Sequence, residues 1–246
     1  MRQVRRRIGE TIAWTPAHDA HYMVAAIRGA SRNAPHLHVT QAGLAHLETL
    51  LATNDTPVPF GLLLGSMCLD PDTRSSYLLV DDAAPSSADL TPEDPLAQLT
   101  AELQLLITGA NRRGRRTSVL GWYIGGMGDD LSLDDEIPSM HRRLFPEPWH
   151  SVLVHGGDGS DGHGAFFRID PVEQRLFRAP FAESLPKSWR RHTTGETPSA
   201  VRWSSYRANR PVVPLETPRP RAASAPTPLQ RVRSWSLGWF SSFRRA

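Results

Sequence analysis

The chain has 246 residues, 39% of them hydrophobic and 22% charged, enough for one sizeable domain plus extensions. Its single cysteine, Cys68, excludes a disulfide framework and a cysteine-rich zinc site and fits a reducing compartment. No run of about 18 apolar residues occurs, which excludes a transmembrane helix, and the basic start MRQVRRRIGETIAW lacks the apolar stretch of a secretory signal.

The net charge of +3 conceals a segregation. Residues 1–33 carry 6 Lys and Arg against 2 Asp and Glu, residues 34–186 carry 10 against 21, and residues 187–246 carry 12 against 2. An acidic middle with basic ends marks the termini as interaction arms, for anionic lipid, nucleic acid or the protein's own acidic face.

In chain order, residues 1–35 read as an N-terminal extension, with a short helix over 18–32 around Tyr22, Met23, Val24 and Ile27. A strand is predicted over 37–39. A helix then begins at Thr40 or Gln41, with Leu44, Leu47, Leu50 and Leu51 spaced three and four apart, and ends at Asn54, Asp55 and Pro57. The run FGLLLGSMC (60–68) reads as a buried strand, Asp70-Pro71-Asp72 as a turn and 76–80 as the return strand. Thr91 is predicted to cap a helix with Pro92 in its first turn, followed by Leu96, Leu99, Leu103, Leu106 and Ile107. A break over 109–114 precedes a strand over 118–124, a glycine-rich loop, a short helix over 132–144 and strands over 151–155 and 165–169. The fold class that follows is α/β of the α+β kind, a mixed curved β-sheet flanked by helices. From 186 to 228, Pro, Ser, Thr and Arg dominate, and the segment reads as a disordered linker.

The stretch 121–135, GWYIGGMGDDLSLDD, carries the sharpest functional signal. Gly121-Trp122-Tyr123, the Gly61-to-Gly65 strand after a helix, and Ser132-x-x-Asp135 ahead of another helix resemble, in order and spacing, the JAMM/MPN family of zinc hydrolases, which includes isopeptidases that remove ubiquitin. The resemblance covers residues 36–185. It implies a JAB-like fold and, in active members, two histidine ligands after Gly-Trp-Tyr and a glutamate base ahead of the first strand glycine. The matching positions hold Ile124, Gly126 and Val58, and Met127 stands where the family has proline. A catalytic zinc needs about three nitrogen, oxygen or sulfur donors plus a water, and Asp135 alone does not supply them. Ser132 reads as a helix cap, with Asp134, Asp135 and Glu136 favourable to the helix dipole. The resemblance therefore implies a pseudo-metalloprotease with no metal and no cofactor, acting as a scaffold or binding subunit. Inactive members of the family commonly pair with an active one, so the implied partner is a protein, including another MPN-like subunit.

Other residues offer competing sites. His141, His150, His155, His163, Asp158 and Asp161 fall close together, but only His155 and His163 can meet across a hairpin, which would serve a diverged zinc-dependent isopeptidase. The Asp158–Gly162 turn lacks the glutamate of a calcium loop. Cys68 reads as a small apolar core residue. The arginines at 112, 113, 115 and 116 read as a solvated turn able to dock an acidic partner.

Finally, residues 229–246, LQRVRSWSLGWFSSFRRA, place Val232, Trp235, Trp239, Phe240 and Phe243 on one helical face, with Arg231, Arg233, Arg244 and Arg245 away from it. Such a helix suits a membrane interface with anionic lipid or a groove on a partner. A third reading uses the basic tail to bind nucleic acid. The expectation is a cytoplasmic protein, membrane-associated where the tail inserts.

Overall fold

The computed structural model describes residues 3–6, 11–17, 35–53, 57–91, 93–112, 117–127, 131, 136–156, 163–170, 176–185, 199–201 and 203–208. The short helix expected over 18–32, Ser132, Asp135, Asp158, Asp161 and the whole C-terminal segment lie outside them.

The fold is α+β, with a curled mixed sheet and three helices among the described residues. In chain order the elements are β1 (Val4–Arg5), β2 (Thr11–Pro16), β3 (His36–Thr40), α1 (Gln41–Thr53), β4 (Phe60–Leu69), β5 (Ser76–Pro85), α2 (Pro95–Arg112), β6 (Ser118–Met127) and α3 (Glu136–Leu144). They continue with β7 (Ser151–Gly156), β8 (His163–Ile169), β9 (Leu176–Arg178), β10 (Phe181–Ser184) and β11 (Tyr206–Ala208). The strand order is β11-β2-β10-β3-β5-β4-β6-β7-β8-β9, and β1 lies beside β4 off that path. β10 with β3, β3 with β5, β6 with β7 and β1 with β4 run parallel; the remaining pairs are antiparallel.

Local sequence explains the elements. Thr40 closes β3 and caps α1, its hydroxyl accepting the Gly43 amide at 3.0 Å. β4 and β6 are apolar along their length because both sides are covered. The α2 start differs from expectation. Asp94 rather than Thr91 is the cap, accepting the Ala97 amide at 3.1 Å with Pro95 in the first position. Thr91 instead bonds the Gln98 side chain, its amide donating at 2.8 Å. Two overlapping cap signals compete here, and the Asp-Pro pair nearest the apolar face wins.

The sheet also extends past the expected boundaries. β2 comes from the N-terminal extension and β11 from the segment read as linker, and both join the edge beyond β10. The curl brings this edge back to β8. The Tyr206 hydroxyl donates to Ala179 O at 2.8 Å and accepts the Phe166 amide at 2.9 Å. Trp203 covers Gly164 so closely that a Cβ there would lie 2.4 Å from the indole. The core holds Trp122, Tyr123, Phe60 and Phe166, all fully buried.

Candidate functional site

The Gly-Trp-Tyr motif sits in the middle of the sheet. Gly121 has φ 153°, and a Cβ on it would stand 1.8 Å from Ser151 O of β7, so only glycine lets the two backbones approach. Trp122 is fully buried, and its indole N–H donates to His141 Nδ1 of α3 at 2.9 Å. Burial, with His150 adding to it, lowers the His141 pKa to about 3, so the ring is neutral and its Nδ1 is an acceptor. His150 is likewise lowered by burial, and its Nδ1 accepts the Glu147 amide at 3.2 Å. A cleft of about 140 Å³ opens beside these two rings, also lined by Phe145, Pro146, Pro148 and Ile169. The histidines flanking it thus hold α3 and the following turn in place.

The structure brings Val58, Ile124 and Gly126 together. Phe60 pairs with Ile124 across β4 and β6, and the Gly125 amide donates to Pro59 O at 2.7 Å. Between Ile124 and Met127 the register against β7 shifts, leaving Gly125 and Gly126 opposite His155 alone. Gly126 has φ 74°, and a Cβ on it would lie 2.6 Å from Pro57 O and 3.7 Å from the Val58 Cα. A side chain at 126 therefore meets two penalties, left-handed backbone and a carbonyl inside van der Waals contact. Gly125 beside it is buried, and a Cβ there would be within 2.8 Å of both Leu51 and Pro59. Ile124 is 4% exposed and Val58 half-buried against the core. Gly126 itself is exposed, Ile124 is buried, and none of the three positions carries a nitrogen or oxygen side-chain donor.

His155 and His163 lie on adjacent strands, His155 opposite Gly164 and His163 opposite Gly156. Burial and then His163 lower the His155 pKa, and His163 Nδ1 hydrogen-bonds Ser204. Among the described residues no three of His, Cys, Asp and Glu stand together to hold a metal ion.

Two buried charges escaped sequence reasoning. Glu183 of β10 is 0% exposed. Its Oε1 accepts from Gln41 Nε2 at 2.8 Å and Ala200 N at 2.7 Å; its Oε2 accepts from Trp14 Nε1 at 3.2 Å and from Ser199 Oγ. It thus ties β2, α1 and the 199–208 segment to the sheet through neutral donors. Burial, with the Glu183 carboxylate adding to it, raises the Glu48 pKa of α1 to about 7. Arg168 of β8 is 7% exposed, donates to Ser151 Oγ at 3.0 Å and Pro35 O at 2.9 Å, and is lowered by burial to about 10. No sequence pattern marks either residue, because both occupy inward strand positions that alternation assigns to apolar side chains.

Neither a family model nor a curated protein matches the chain. Among the described residues no helix is long and apolar enough to cross a membrane.

Proposed function

We propose that the chain is a binding or scaffold subunit built on an MPN-like domain without a hydrolytic centre. The observation that carries this is Gly126, whose left-handed backbone, together with the 2.6 Å at which a Cβ would meet Pro57 O, opposes an imidazole where the resemblance puts a ligand. Val58 and Ile124 beside it offer carbon only, so neither a base nor a second ligand is present at those positions.

Helix α2 supports the binding half of the reading. Its first half is anchored through Pro95, Leu99 and Leu103, whereas Leu105 is 64% exposed and Leu106 and Ile107 are half-buried. Leu106 and Ile107 pack against the core, and Leu105 leaves one apolar point on the helix surface available to a protein partner. The segment 229–246, outside the described residues, then tethers the assembly through Trp235, Trp239, Phe240 and Phe243, to a protein groove or an anionic membrane.

Metal analysis of the purified full-length chain tests the proposal. Less than about a tenth of an equivalent of zinc, with no peptidase activity sensitive to chelation, is expected for a site lacking ligands. One stoichiometric zinc whose removal abolishes peptidase activity sinks it.

A further inference from the structure

We propose that the β4 edge at Leu69, held by β1, is a docking site for the chain's own C-terminal segment, residues 230–233, which exchanges there with residues 3–6.

The site arises from strand lengths. β6 pairs with β4 only from Phe60 to Gly65, so β4 has an open edge from Ser66 onward. The Asp70 amide donates to Ser75 O on the β5 side. Strand alternation therefore turns the Leu69 amide and carbonyl outward, where unpaired groups invite another strand. Residues 3–6 fill this place as β1, with Val4 opposite Cys68 and Arg5 opposite Leu69 in parallel register. Beneath lies a small apolar cluster of Cys68, Tyr77 and Leu79, separate from the main core.

The present occupant shows what the site recognises. Backbone pairing is one element: Arg6 N donates to Leu69 O at 3.2 Å, and the Tyr77 hydroxyl donates to Arg6 O at 3.3 Å. Two side chains spaced three apart are the other. Gln3 Nε2 donates to Ser76 Oγ at 3.0 Å, and Arg6 stands 3.9 Å from Asp81. Asp81 is available because the β4–β5 register shifts between Leu64 and Gly65, leaving it unpaired in the ladder. All of residues 3–6 are exposed, and the pairing spans two residues. Few buried contacts and exposed hydrogen bonds place such a strand at the low end of local stability.

The chain contains a second segment with the same recognition pattern. Of its six glutamines, only Gln3 and Gln230 are followed three residues later by arginine, at Arg6 and Arg233, so the match rests on the glutamine and arginine, with Arg231 and Val232 standing where Val4 and Arg5 stand in the first segment. Overlaying the pairs brings Gln230 to Ser76 and Arg233 to Asp81. Charge favours the match, since residues 187–246 carry 12 Lys and Arg against 2 acids while residues 34–186 carry 21 acids against 10. Reach allows it as well. The 21 residues from Ala208 to Leu229 span up to about 70 Å when extended, several times the ~17 Å radius of gyration of a domain this size. Docking would hold the aromatic face that starts at Trp235 beside the domain; release would free it. This inference does not depend on the domain's family, and metal content does not bear on it.

Amide hydrogen exchange of the full-length chain tests it, read at Leu69 with Leu153 of the buried β7 as the fold control. Arg6→Pro removes both the backbone donor to Leu69 O and the guanidinium at Asp81. The expected result is Leu69 protection within about threefold of wild type in Arg6→Pro, because the tail takes the place, and at least a tenfold loss in Arg6→Pro/Arg233→Glu. Equal exchange in the single and double variants overturns the proposal, as does full protection in the double. Protection in Arg6→Pro that rises with protein concentration also contradicts it, because the segment then comes from a second copy. Should Arg6→Pro raise exchange at Leu153, Arg6→Ala replaces it, with about a threefold further loss expected on adding Arg233→Glu and no further loss overturning the proposal.

Discussion

Glu183→Gln is the substitution whose cost follows most directly from the hydrogen-bond geometry. Each carboxylate oxygen accepts two bonds, Oε1 from Gln41 and Ala200 and Oε2 from Trp14 and Ser199. The amide NH2 must replace one oxygen, and the Oε2 side is the cheaper place. Ser199 Oγ already lies 3.0 Å from Val201 O, so its hydroxyl can donate there and accept from the new amide. The Trp14 indole N–H has no such alternative and is left buried and unbonded, which costs about 1–3 kcal/mol. Glu183→Ala orphans the Gln41, Ala200 and Trp14 donors, while Ser199 keeps Val201 O, and is expected to cost about 3 kcal/mol or more. Urea unfolding followed by circular dichroism reads this, with a midpoint about 1 M lower for a ~2 kcal/mol loss. Trp14→Phe should then cost about 1–2 kcal/mol less in the Glu183→Gln background than in wild type. A Glu183→Ala chain within about 1 kcal/mol of wild type would refute the account of Glu183 as the tie between β2, α1 and the 199–208 segment.

The buried titrating groups and the glycines give further expectations. The Glu48 pKa is raised from 4.5 to about 7 by burial and by Glu183, so the folded state holds its proton more tightly and stability falls as pH rises through that window. Glu48→Gln should flatten the slope and raise stability at pH 8 by about 1–2 kcal/mol after discounting for solvent screening, as measured by urea midpoints across pH. The sign is opposite for His141, lowered to about 3 by burial: its contribution is complete above pH 6.5 and is lost as pH falls toward 3. His141→Leu should reduce that acid sensitivity and, by orphaning the Trp122 indole, cost about 1–3 kcal/mol at neutral pH. Gly126→Ala should cost about 2–4 kcal/mol in the same assay, combining left-handed backbone strain with the clash against Pro57 O; a neutral effect would show that the β6 end yields easily.

What was legible in the sequence followed from periodicity and turn chemistry. The helix carrying Leu44 and Leu47, the apolar β4 and the Gly-Trp-Tyr strand stand where the patterns put them. The miss at the sheet edge has a specific cause. β10 reads Phe-Ala-Glu-Ser with Phe181 and Glu183 inward, and a buried carboxylate erases the apolar alternation that would announce a strand. β2 does show alternation, Ile12 and Trp14 inward, but its partners come from more than 165 residues away, Phe181 opposite Trp14 and Tyr206 opposite Pro16. Local pattern cannot supply pairings at that separation. In the candidate site, the sequence shows that positions 58, 124 and 126 carry no donor atoms; the left-handed Gly126 and the Pro57 carbonyl against it are visible only in three dimensions.

Val58, Ile124 and Gly126 offer no side-chain donor, and the Pro57 carbonyl crowds a side chain at 126. Zinc titration of a Val58→Glu/Ile124→His/Gly126→His chain by calorimetry, with circular dichroism confirming the fold, tests it most directly. No site tighter than about 10 μM is expected, because an imidazole at 126 cannot be accommodated without displacing Pro57. One equivalent of tightly bound zinc in a folded chain would contradict it.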